Sequence, residues 1–321
     1  MNVAGVNIDS LAIKNIAKKR FASGLLLAVL GSIAFSGKAI IVKLAYRHGV
    51  DAVTLIMYRM LFALPFFAVM AWWASRGKPA LTRHEWLGIL GLGVTGYYLA
   101  SFLDFAGLAY ISASLERLIL YLNPTLVLLL GWLLYKKSIK SSQLWAMALS
   151  YAGILLVFGH ELAMDGVLFG AAGSAGSKTA LGAALVFASA VSYAIYLSYS
   201  GEMVQRLGSL RLVGLATTVA CLLCIGQFVI LRPLSAMAVA PEVIWLSVLN
   251  ATLCTALPVL AVMMAIERIG ASLAAQTGMI GPMSTILMGV FILGEPLNVW
   301  VIAGTVLVLG GVYMVSRSRT N

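Results

Sequence analysis

The chain repeats itself at a constant offset of 158 residues. At this offset Pro124 aligns with Pro282, and Gly153 aligns with Gly311. Each copy holds five long apolar segments, and an odd number of crossings places the two copies in a bilayer in opposite orientations. Repeats of inverted topology are typical of secondary transporters. We therefore expect a membrane protein built from two inverted halves.

The composition agrees with a membrane environment. Hydrophobic residues make up 61% of the chain and charged residues 10%, and the mean hydropathy is +0.99. Soluble domains do not have such a composition. A membrane-crossing helix needs about 20 mostly apolar residues. We predict an all-α membrane protein with ten transmembrane helices arranged as two inverted five-helix repeats. The predicted helices lie near residues 21–45, 52–74, 86–109, 112–134, 142–159, 180–200, 212–231, 243–265, 271–293 and 298–315.

The repeat also predicts the domain organisation. Residues 1–20 form a cytoplasmic N-terminal segment, 21–159 the first repeat, 160–179 an outer linker, 180–315 the second repeat and 316–321 a cytoplasmic tail. The linker is rich in Gly, Ala and Ser, a composition typical of a flexible tether. The N-terminal segment is predicted either as a short helix on the inner membrane surface or as a disordered tail.

The basic residues predict the orientation. The net charge is +11, and fifteen Lys and Arg residues fall in predicted cytoplasmic segments against four in outer loops. This positive-inside bias places both termini in the cytoplasm of a multi-pass protein, and we expect a bacterial inner (plasma) membrane. The basic excess therefore contacts anionic lipid headgroups rather than nucleic acid.

The sequence predicts no metal and no cofactor. The three cysteines lie within predicted helices 7 and 8 and match neither a disulfide framework nor a metal site. We expect the partners to be a small-molecule substrate and the lipid bilayer, and the chain to be a monomer or a homodimer. Ala146 and Gly153 match Gly304 and Gly311, which predicts close packing of helices 5 and 10 or a dimer face.

Five charged side chains fall well inside predicted spans, away from the span ends: Lys38, Arg59, Asp104, Glu116 and Arg117. A charge at the bilayer centre costs roughly 2.5–3.5 kcal/mol, so these side chains should face inward or face each other. Counting residues from the predicted helix ends places all five in the outer half of the membrane.

The charges allow more than one interpretation. Lys38 with Glu116 or Asp104 is either an ion pair that lines or closes an outer vestibule, or a set of snorkelling side chains. For Arg117 the favoured interpretation is snorkelling at the periphery. The second repeat has no charge at the equivalent positions, which are Tyr196, Thr217, Val262, Ala274 and Ala275.

Any proton coupling through intramembrane charge would therefore depend on the first repeat. Asp104 and Glu116 are the candidate proton carriers, and with Lys38 they form the candidate coupling or outer-gate group. Lys38 is also the candidate partner of a substrate carboxylate.

A matched pair of helix breaks predicts the position of the substrate site. Pro124 in helix 4 and Pro282 in helix 9 lie near the middle of their spans, where proline removes a backbone donor and kinks the helix. Interrupted helices at matching positions of two repeats indicate a binding site near the midplane.

Polar and aromatic residues at helical spacing lie at the same level. The mixture of Tyr, Met and few fixed charges suits an amphipathic organic solute better than a bare ion. The predicted cavity residues are Lys38, Tyr97, Ser101, Tyr121, Asn123, Tyr193, Tyr196, Gln276 and Met279.

The chain resembles the two-copy EamA type of the drug/metabolite transporter superfamily, from about Phe21 to Val315. The resemblance rests on five segments: GSIAFSGKAIIVKLA at 31–45, YRMLFA around Arg59, YISASL before Pro124, IGAS before Pro282, and LGEP at 293–296. It implies a five-plus-five helical basket whose central cavity is lined by helices 1, 3, 4, 6, 8 and 9. Within the family the chain is most similar to YddG-type exporters of aromatic and other amino acids. It departs from the pattern at Lys136-Lys137, where the second copy has Gly294-Glu295.

Together these features predict a membrane exporter of small organic metabolites that works by alternating access around a midplane cavity. Aromatic or neutral amino acids are the leading substrate class. One alternative is an exchanger of nucleotide sugars or phosphorylated metabolites, which would require several cationic residues in the cavity. The other is an intramembrane enzyme, for which Asp104 and Glu116 would be the available acids.

Overall fold

A computed structural model describes residues 4–136, 141–164, 174–269, 277 and 280–318. These residues form the ten expected helices, α1 to α10. Eight helices are long and apolar enough to cross a membrane, and shorter apolar stretches lie at Met283–Leu293 and Val299–Gly311. The helices are α1 (Ala4–Tyr46), α2 (Ala52–Ser75), α3 (Arg83–Leu92, Gly93–Leu99 and Ala100–Leu108), α4 (Ala113–Leu120 and Asn123–Tyr135), α5 (Ser141–Met164), α6 (Ser174–Leu207), α7 (Ser209–Leu231), α8 (Pro241–Ala251, Thr252–Ala256 and Leu257–Ile269), α9 (Ile280–Met288 and Gly289–Leu293) and α10 (Val299–Ser318).

Two boundaries differ from the sequence prediction. Within the described residues α1 is continuous from Ala4 to Tyr46, so residues 4–20 continue into the first span as one helix. α5 continues to Met164 and α6 begins at Ser174, so the linker predicted at 160–179 is helical at both ends. The sequence HELAM at 160–164 contains no Gly or Pro, and its Glu, Leu, Ala and Met are good helix formers.

Two glycine contacts show that the repeats pack against each other symmetrically. A Cβ on Gly24 of α1 would lie 2.8 Å from the Cβ of Arg268 in α8. A Cβ on Gly182 of α6 would lie 2.7 Å from the Cβ of Tyr110, just after α3. The offset of 158 residues converts the first contact into the second. Each repeat therefore places its first helix against the third helix of the other repeat.

A second symmetric contact joins α5 to α10. A Cβ on Gly153 would lie 2.6 Å from the carbonyl oxygen of Gly304, and one on Gly311 would lie 2.5 Å from that of Ala146. The offset again exchanges the two contacts. The predicted close packing of these helices is confirmed, and this face is covered within the chain.

The fourth helix of each repeat ends in the same conformation. Lys136 and Gly294 occupy equivalent positions, and both have positive φ, 50° and 75°. Their backbone N–H groups donate to the carbonyl oxygens of Gly131 and Gly289, which are also equivalent. A left-handed conformation suits glycine and strains a lysine.

The bundle has two ends, which we call the terminal face and the opposite face. The terminal face carries the first turn of α1 and the last turn of α10. On the opposite face Arg47 Nη2 donates to the carbonyl oxygen of Leu293 at 2.8 Å. There the Glu295 carboxylate also accepts from the backbone amides of Ala113 and Ser114, at 2.7 and 3.2 Å. A carboxylate of the second repeat thus caps the first turn of α4 in the first repeat.

Candidate functional site

A cavity of about 560 Å³ lies at the centre of the bundle. Residues of both repeats line it, from α1, α2, α3, α4, α6, α7, α8 and α9. The helix set implied by the resemblance is therefore extended by α2 and α7. The volume falls in the range typical of small-molecule sites.

The structure brings most of the predicted site residues together. The described residues that were predicted and that line the cavity are Lys38, Tyr97, Ser101, Asp104, Tyr121, Asn123, Pro124 and Tyr193. Tyr196 lies behind this layer, and its hydroxyl is 3.3 Å from that of Tyr97. Glu116 is fully buried and contacts Lys38 from outside the cavity. Gln276, Met279 and the Pro282 side chain lie outside the described part of the chain.

Widened helical turns at equivalent positions shape the cavity wall. α3 is π-helical over Gly93–Leu99 and α8 over Thr252–Ala256, and π-helical turns are frequent at functional sites. The offset of 158 residues aligns Tyr97 with Thr255, and both side chains line the cavity. Each repeat therefore contributes one polar side chain from the same irregular turn.

The predicted break in helix 4 is present. The helix stops at Leu120 and restarts at Asn123, with Pro124 in its first turn. Pro124 has no N–H to donate to the carbonyl oxygen of Leu120. Asn123 Nδ2 donates to that oxygen instead, at 2.7 Å. Residues before Ile280 are described only at Thr277, so a break at Pro282 stays a prediction.

Lys38 forms an ion pair with both candidate carboxylates. Its Nζ donates to Asp104 Oδ2 and lies 3.4 Å from Glu116 Oε1. All three side chains are buried. The structure therefore shows the ion pair rather than snorkelling side chains, and its role in an outer vestibule or gate stays a prediction. Asp104 Oδ1 and the Glu116 oxygens have no hydrogen-bond donor, and an unpaired buried polar atom is costly.

Arg59 extends from α2 to the same end of the cavity. Its Nε donates to Thr255 Oγ1 at 3.1 Å, and its guanidinium packs over the Phe105 ring, 5.1 Å from the centroid. The Thr255 hydroxyl in turn donates to the carbonyl oxygen of Asn250 at 2.8 Å. Arg59 Nη1 is buried without a partner.

The position of Arg117 differs from the one predicted from the sequence. Peripheral snorkelling is wrong, because Arg117 is only 4% exposed and lines the cavity. Its Nε donates to Thr285 Oγ1 of α9 at 3.0 Å, and Nη2 has no partner. The predicted depth of Arg117 in the membrane agrees with its place near the start of α4. The side chain points inward rather than to the periphery, because other helices surround α4 at this level.

The predicted cavity set left out several residues that line the cavity, among them Phe35, Ser36, Arg59 and Arg117. The arginines were detectable as intramembrane charges. Phe35 could have been found from its position one turn before Lys38 on α1. Thr255 could have been found by aligning the repeats on Tyr97.

Three cations and two carboxylates meet at this end of the cavity. If all five groups are ionised, Lys38, Arg59 and Arg117 outweigh Asp104 and Glu116 by one positive charge. The second repeat contributes hydroxyl groups here, from Thr255 and Thr285. Within the described residues no group of three or more His, Cys, Asp or Glu side chains is placed to hold a metal.

Aromatic rings lie beside the charged residues of the cavity. The Tyr196 ring lies edge-on to Tyr97, with centroids 5.3 Å apart, and stacks on Tyr193 at 5.4 Å. Lys38 Nζ and the Arg117 guanidinium each lie 5.8 Å from the Phe35 centroid. Ring faces attract cations, so Phe35 joins the aromatic part of the cavity to its charged end.

Comparison with known proteins gives a consistent result. A model of the EamA-like transporter family matches residues 22–159 and again 180–317, and these bounds differ by the offset of 158. "Uncharacterized transporter YcbK" of Bacillus subtilis (strain 168) is 29% identical over 302 residues, covering 92% of this chain and 91% of that protein. An "Uncharacterized transporter" of Archaeoglobus fulgidus is 22% identical over 294 residues, covering 92% and 97%. A solved crystal structure superposes with a TM-score of 0.58 at 16% identity, over 94% of this chain and 99% of that one, which supports the fold.

Proposed function

Because the chain belongs to the EamA-like transporter family, we propose that it exports small organic metabolites by alternating access around the central cavity. It is a multi-pass membrane transporter and not an enzyme. We propose aromatic or neutral amino acids as the substrate class and the bacterial inner membrane as the location, with both termini cytoplasmic. The terminal face would then be the inner face.

The observation that carries the substrate class is that residues lining one cavity carry unpaired polar atoms of both kinds, donors and acceptors. Arg59 Nη1 and Arg117 Nη2 are buried donors without partners, and Asn123 Oδ1 is a buried acceptor without a partner. An amino acid carries a carboxylate and an ammonium on one carbon, so it supplies both complements. Phe35, Met60 and Phe67 offer apolar contacts for its side chain.

Alternating access is supported by the symmetry of the scaffold. The contacts of Gly24 and Gly182 are exchanged by the offset, so the two repeats meet through matching contacts. In inverted-repeat transporters one repeat moves against the other around a fixed central site.

Proton coupling is supported by the contacts of Asp104 and Glu116. Both carboxylates approach the Lys38 ammonium, Glu116 Oε2 also lies 4.0 Å from Arg117 Nε, and Asp104 Oδ1 and both Glu116 oxygens accept no hydrogen bond. A proton bound by either carboxyl would provide a new donor in a low-dielectric site. We propose that this pair carries the coupled proton and that, with Lys38, it forms the outer gate.

The exchanger alternative has more support than it had from the sequence alone, since three cations rather than Lys38 alone lie at the cavity. The carboxylates offset two of these charges. A nucleotide sugar or a phosphorylated metabolite carries more than one negative charge. The single surplus positive charge favours a zwitterion or a monoanion.

Reconstitution in liposomes tests the proposal. Labelled amino acids are screened with and without an imposed proton gradient, beside a phosphorylated sugar. We expect amino-acid flux, loss of flux in Lys38→Ala and Gln276→Ala, and changed pH dependence in Asp104→Asn or Glu116→Gln. Flux that is insensitive to both cavity substitutions would remove the site. Unchanged coupling in both carboxyl variants would remove the proton role, and transport of the phosphorylated sugar alone would favour the exchanger.

A further inference from the structure

We propose that Arg59 and Arg117 form a carboxylate-binding subsite at the end of the cavity nearest the opposite face. The inference rests on the proposed function, because it names the part of the transported solute that these side chains bind. Arg59 lies eight residues into α2 and Arg117 five residues into α4, and both helices begin on the opposite face. At about 1.5 Å per residue, both guanidinium groups belong to that half of the bundle.

The first argument is the pair of unpaired donors. Arg59 is 5% exposed and Arg117 is 4% exposed. Nη1 of the first and Nη2 of the second have no hydrogen-bond partner, although both residues line the same cavity. A buried donor without a hydrogen-bond partner is destabilising. A carboxylate has two oxygens and accepts hydrogen bonds from guanidinium groups in a well-defined geometry.

The second argument is that both guanidinium groups are held in place by the other repeat. Thr255 accepts from Arg59 Nε and donates to the carbonyl oxygen of Asn250. Thr285 accepts from Arg117 Nε and donates to the carbonyl oxygen of Gly281 at 3.3 Å. Each hydroxyl therefore presents its acceptor lone pair to the arginine. This fixes each guanidinium while one terminal nitrogen stays unpaired, as a preorganised binding site requires.

The third argument concerns Lys38, the candidate carboxylate partner from the sequence. Its ammonium is already paired with Asp104 and lies 3.4 Å from Glu116. A substrate carboxylate at Lys38 would lie next to two like charges. Arg117 Nε also lies 4.0 Å from Glu116 Oε2, but Arg59 Nη1 and Arg117 Nη2 have no hydrogen-bond partner. These two donors are therefore the better partners of an anion.

The test compares ligands that differ in one group. The purified full-length protein in detergent is titrated with 3-phenylpropionate, its amide and phenyl phosphate, and affinity is read from the shift of the unfolding midpoint. The wild type should bind the carboxylate at least about 10-fold more tightly than the amide. In Arg59→Gln and Arg117→Gln, carboxylate binding should weaken about 10- to 100-fold, as expected for loss of a hydrogen bond to a charged group. Amide binding should change less than about 3-fold.

Two further sets of variants guard against misfolding. Thr255→Val and Thr285→Val keep every charge and remove only the oxygen that orients an arginine. They should reduce the preference for carboxylate over amide by about 3- to 10-fold. Arg211→Gln is the matched control, because Arg211 is also buried but binds Ser75 and Pro79 outside the cavity. It should leave the preference unchanged.

Each outcome separates the subsite from the proposed function. Equal loss of carboxylate and amide binding in the arginine variants, or no loss at all, would overturn the subsite even if amino acids are transported. Tighter binding of phenyl phosphate than of phenylpropionate would also overturn it in favour of a phosphate site. Selective carboxylate binding without amino-acid flux in liposomes would support the subsite and overturn the amino-acid assignment.

Discussion

Gly24 of the first repeat packs against α8 as Gly182 of the second packs at the end of α3. Lys38 and Arg59, however, correspond to Tyr196 and Thr217. The repeats therefore share the positions where backbones touch and differ at the positions that face the cavity. A close backbone contact tolerates only a small residue in both copies, whereas a cavity position tolerates any side chain whose charge is compensated. The site is therefore symmetric in scaffold and asymmetric in charge.

The largest expected effect comes from breaking this asymmetry at Lys38. Lys38→Met removes the cation that contacts both buried carboxylates, leaves only Arg117 Nε at 4.0 Å from Glu116, and should cost about 3–5 kcal/mol of unfolding free energy. Tyr196→Phe, at the equivalent position, removes one hydroxyl contact and should cost about 0.5–1.5 kcal/mol. The measurement is denaturant or thermal unfolding of both variants in detergent. Adding Asp104→Asn and Glu116→Gln to Lys38→Met should restore most of the loss. Equal costs at the two positions would contradict the asymmetry.

The next effect tests the symmetric scaffold. Gly153→Ala and Gly311→Ala each place a methyl group within 2.6 Å of a backbone oxygen on the facing helix, and overpacking of this kind costs about 1–3 kcal/mol. Both variants should lower the unfolding midpoint by a similar amount. Gly159→Ala is the control on α5, since a Cβ there meets no atom within 4 Å. A stable Gly153→Ala beside an unstable Gly311→Ala would break the equivalence of the repeats.

A smaller effect is expected where the repeats share a backbone conformation but not a residue. Lys136 has φ 50° where Gly294 has φ 75°. Lys136→Gly should stabilise the protein by about 0.5–1 kcal/mol, because it removes left-handed strain of about 1–2 kcal/mol at some cost in chain entropy. Gly294→Lys should destabilise it. Thermal unfolding of the two reciprocal variants measures both, and the same sign for both would refute the shared strain.

The smallest effect belongs to an exposed contact between the repeats on the opposite face. Partial burial raises the pKa of the Asp51 carboxyl, but hydrogen bonds from Thr54 and Arg232 outweigh this, and the net pKa lies below its usual range. A lowered folded-state pKa gives stability that is present above about pH 4 and is lost as the pH falls through the folded value. Because the pair is exposed, the contribution should stay below about 1 kcal/mol.

Arg232→Gln tests the Asp51 contact. The variant should be slightly less stable than the wild type at pH 6, and the difference should shrink as the pH falls below about 4. The equivalent positions on the terminal face, Ser209 and Ala74, carry no charge, so substitution of Ser209 by Ala should give no such pH dependence. A difference that grows as the pH falls would show that the sign is wrong.

The sequence was sufficient for the parts of the fold that follow from length and repetition. Ten apolar segments, the inversion of the repeats, the break at Pro124 and the α5–α10 contact all follow from hydropathy or from the offset. Helix ends were less accurate, as at Ala4 and Met164, because a helix does not stop where the membrane ends.

The sequence predicted how deep the site residues lie in the membrane but not where their side chains point. Counting residues along a helix gives the level of Arg117 in the membrane, but only the neighbouring helices determine which way its side chain points. The π-helical turns around Tyr97 and Thr255 left no sign in hydropathy, because an added backbone residue changes the register without changing composition. The two partners of Lys38 could not be ranked from sequence, since Asp104 and Glu116 lie at the same level and the ammonium contacts both.

The Glu295 cap makes the two faces of the bundle energetically unequal. On the opposite face this carboxylate accepts from two amides at the start of α4, and from the Ser114 hydroxyl at 2.8 Å. The equivalent residue in the first repeat is Lys137, and an ammonium has no lone pair to accept a backbone N–H. A perfectly symmetric pair of repeats would populate its two access states equally. Lys137 cannot supply the same carboxylate cap, so under the proposed alternating access a single side chain outside the cavity would bias the resting equilibrium between these two states.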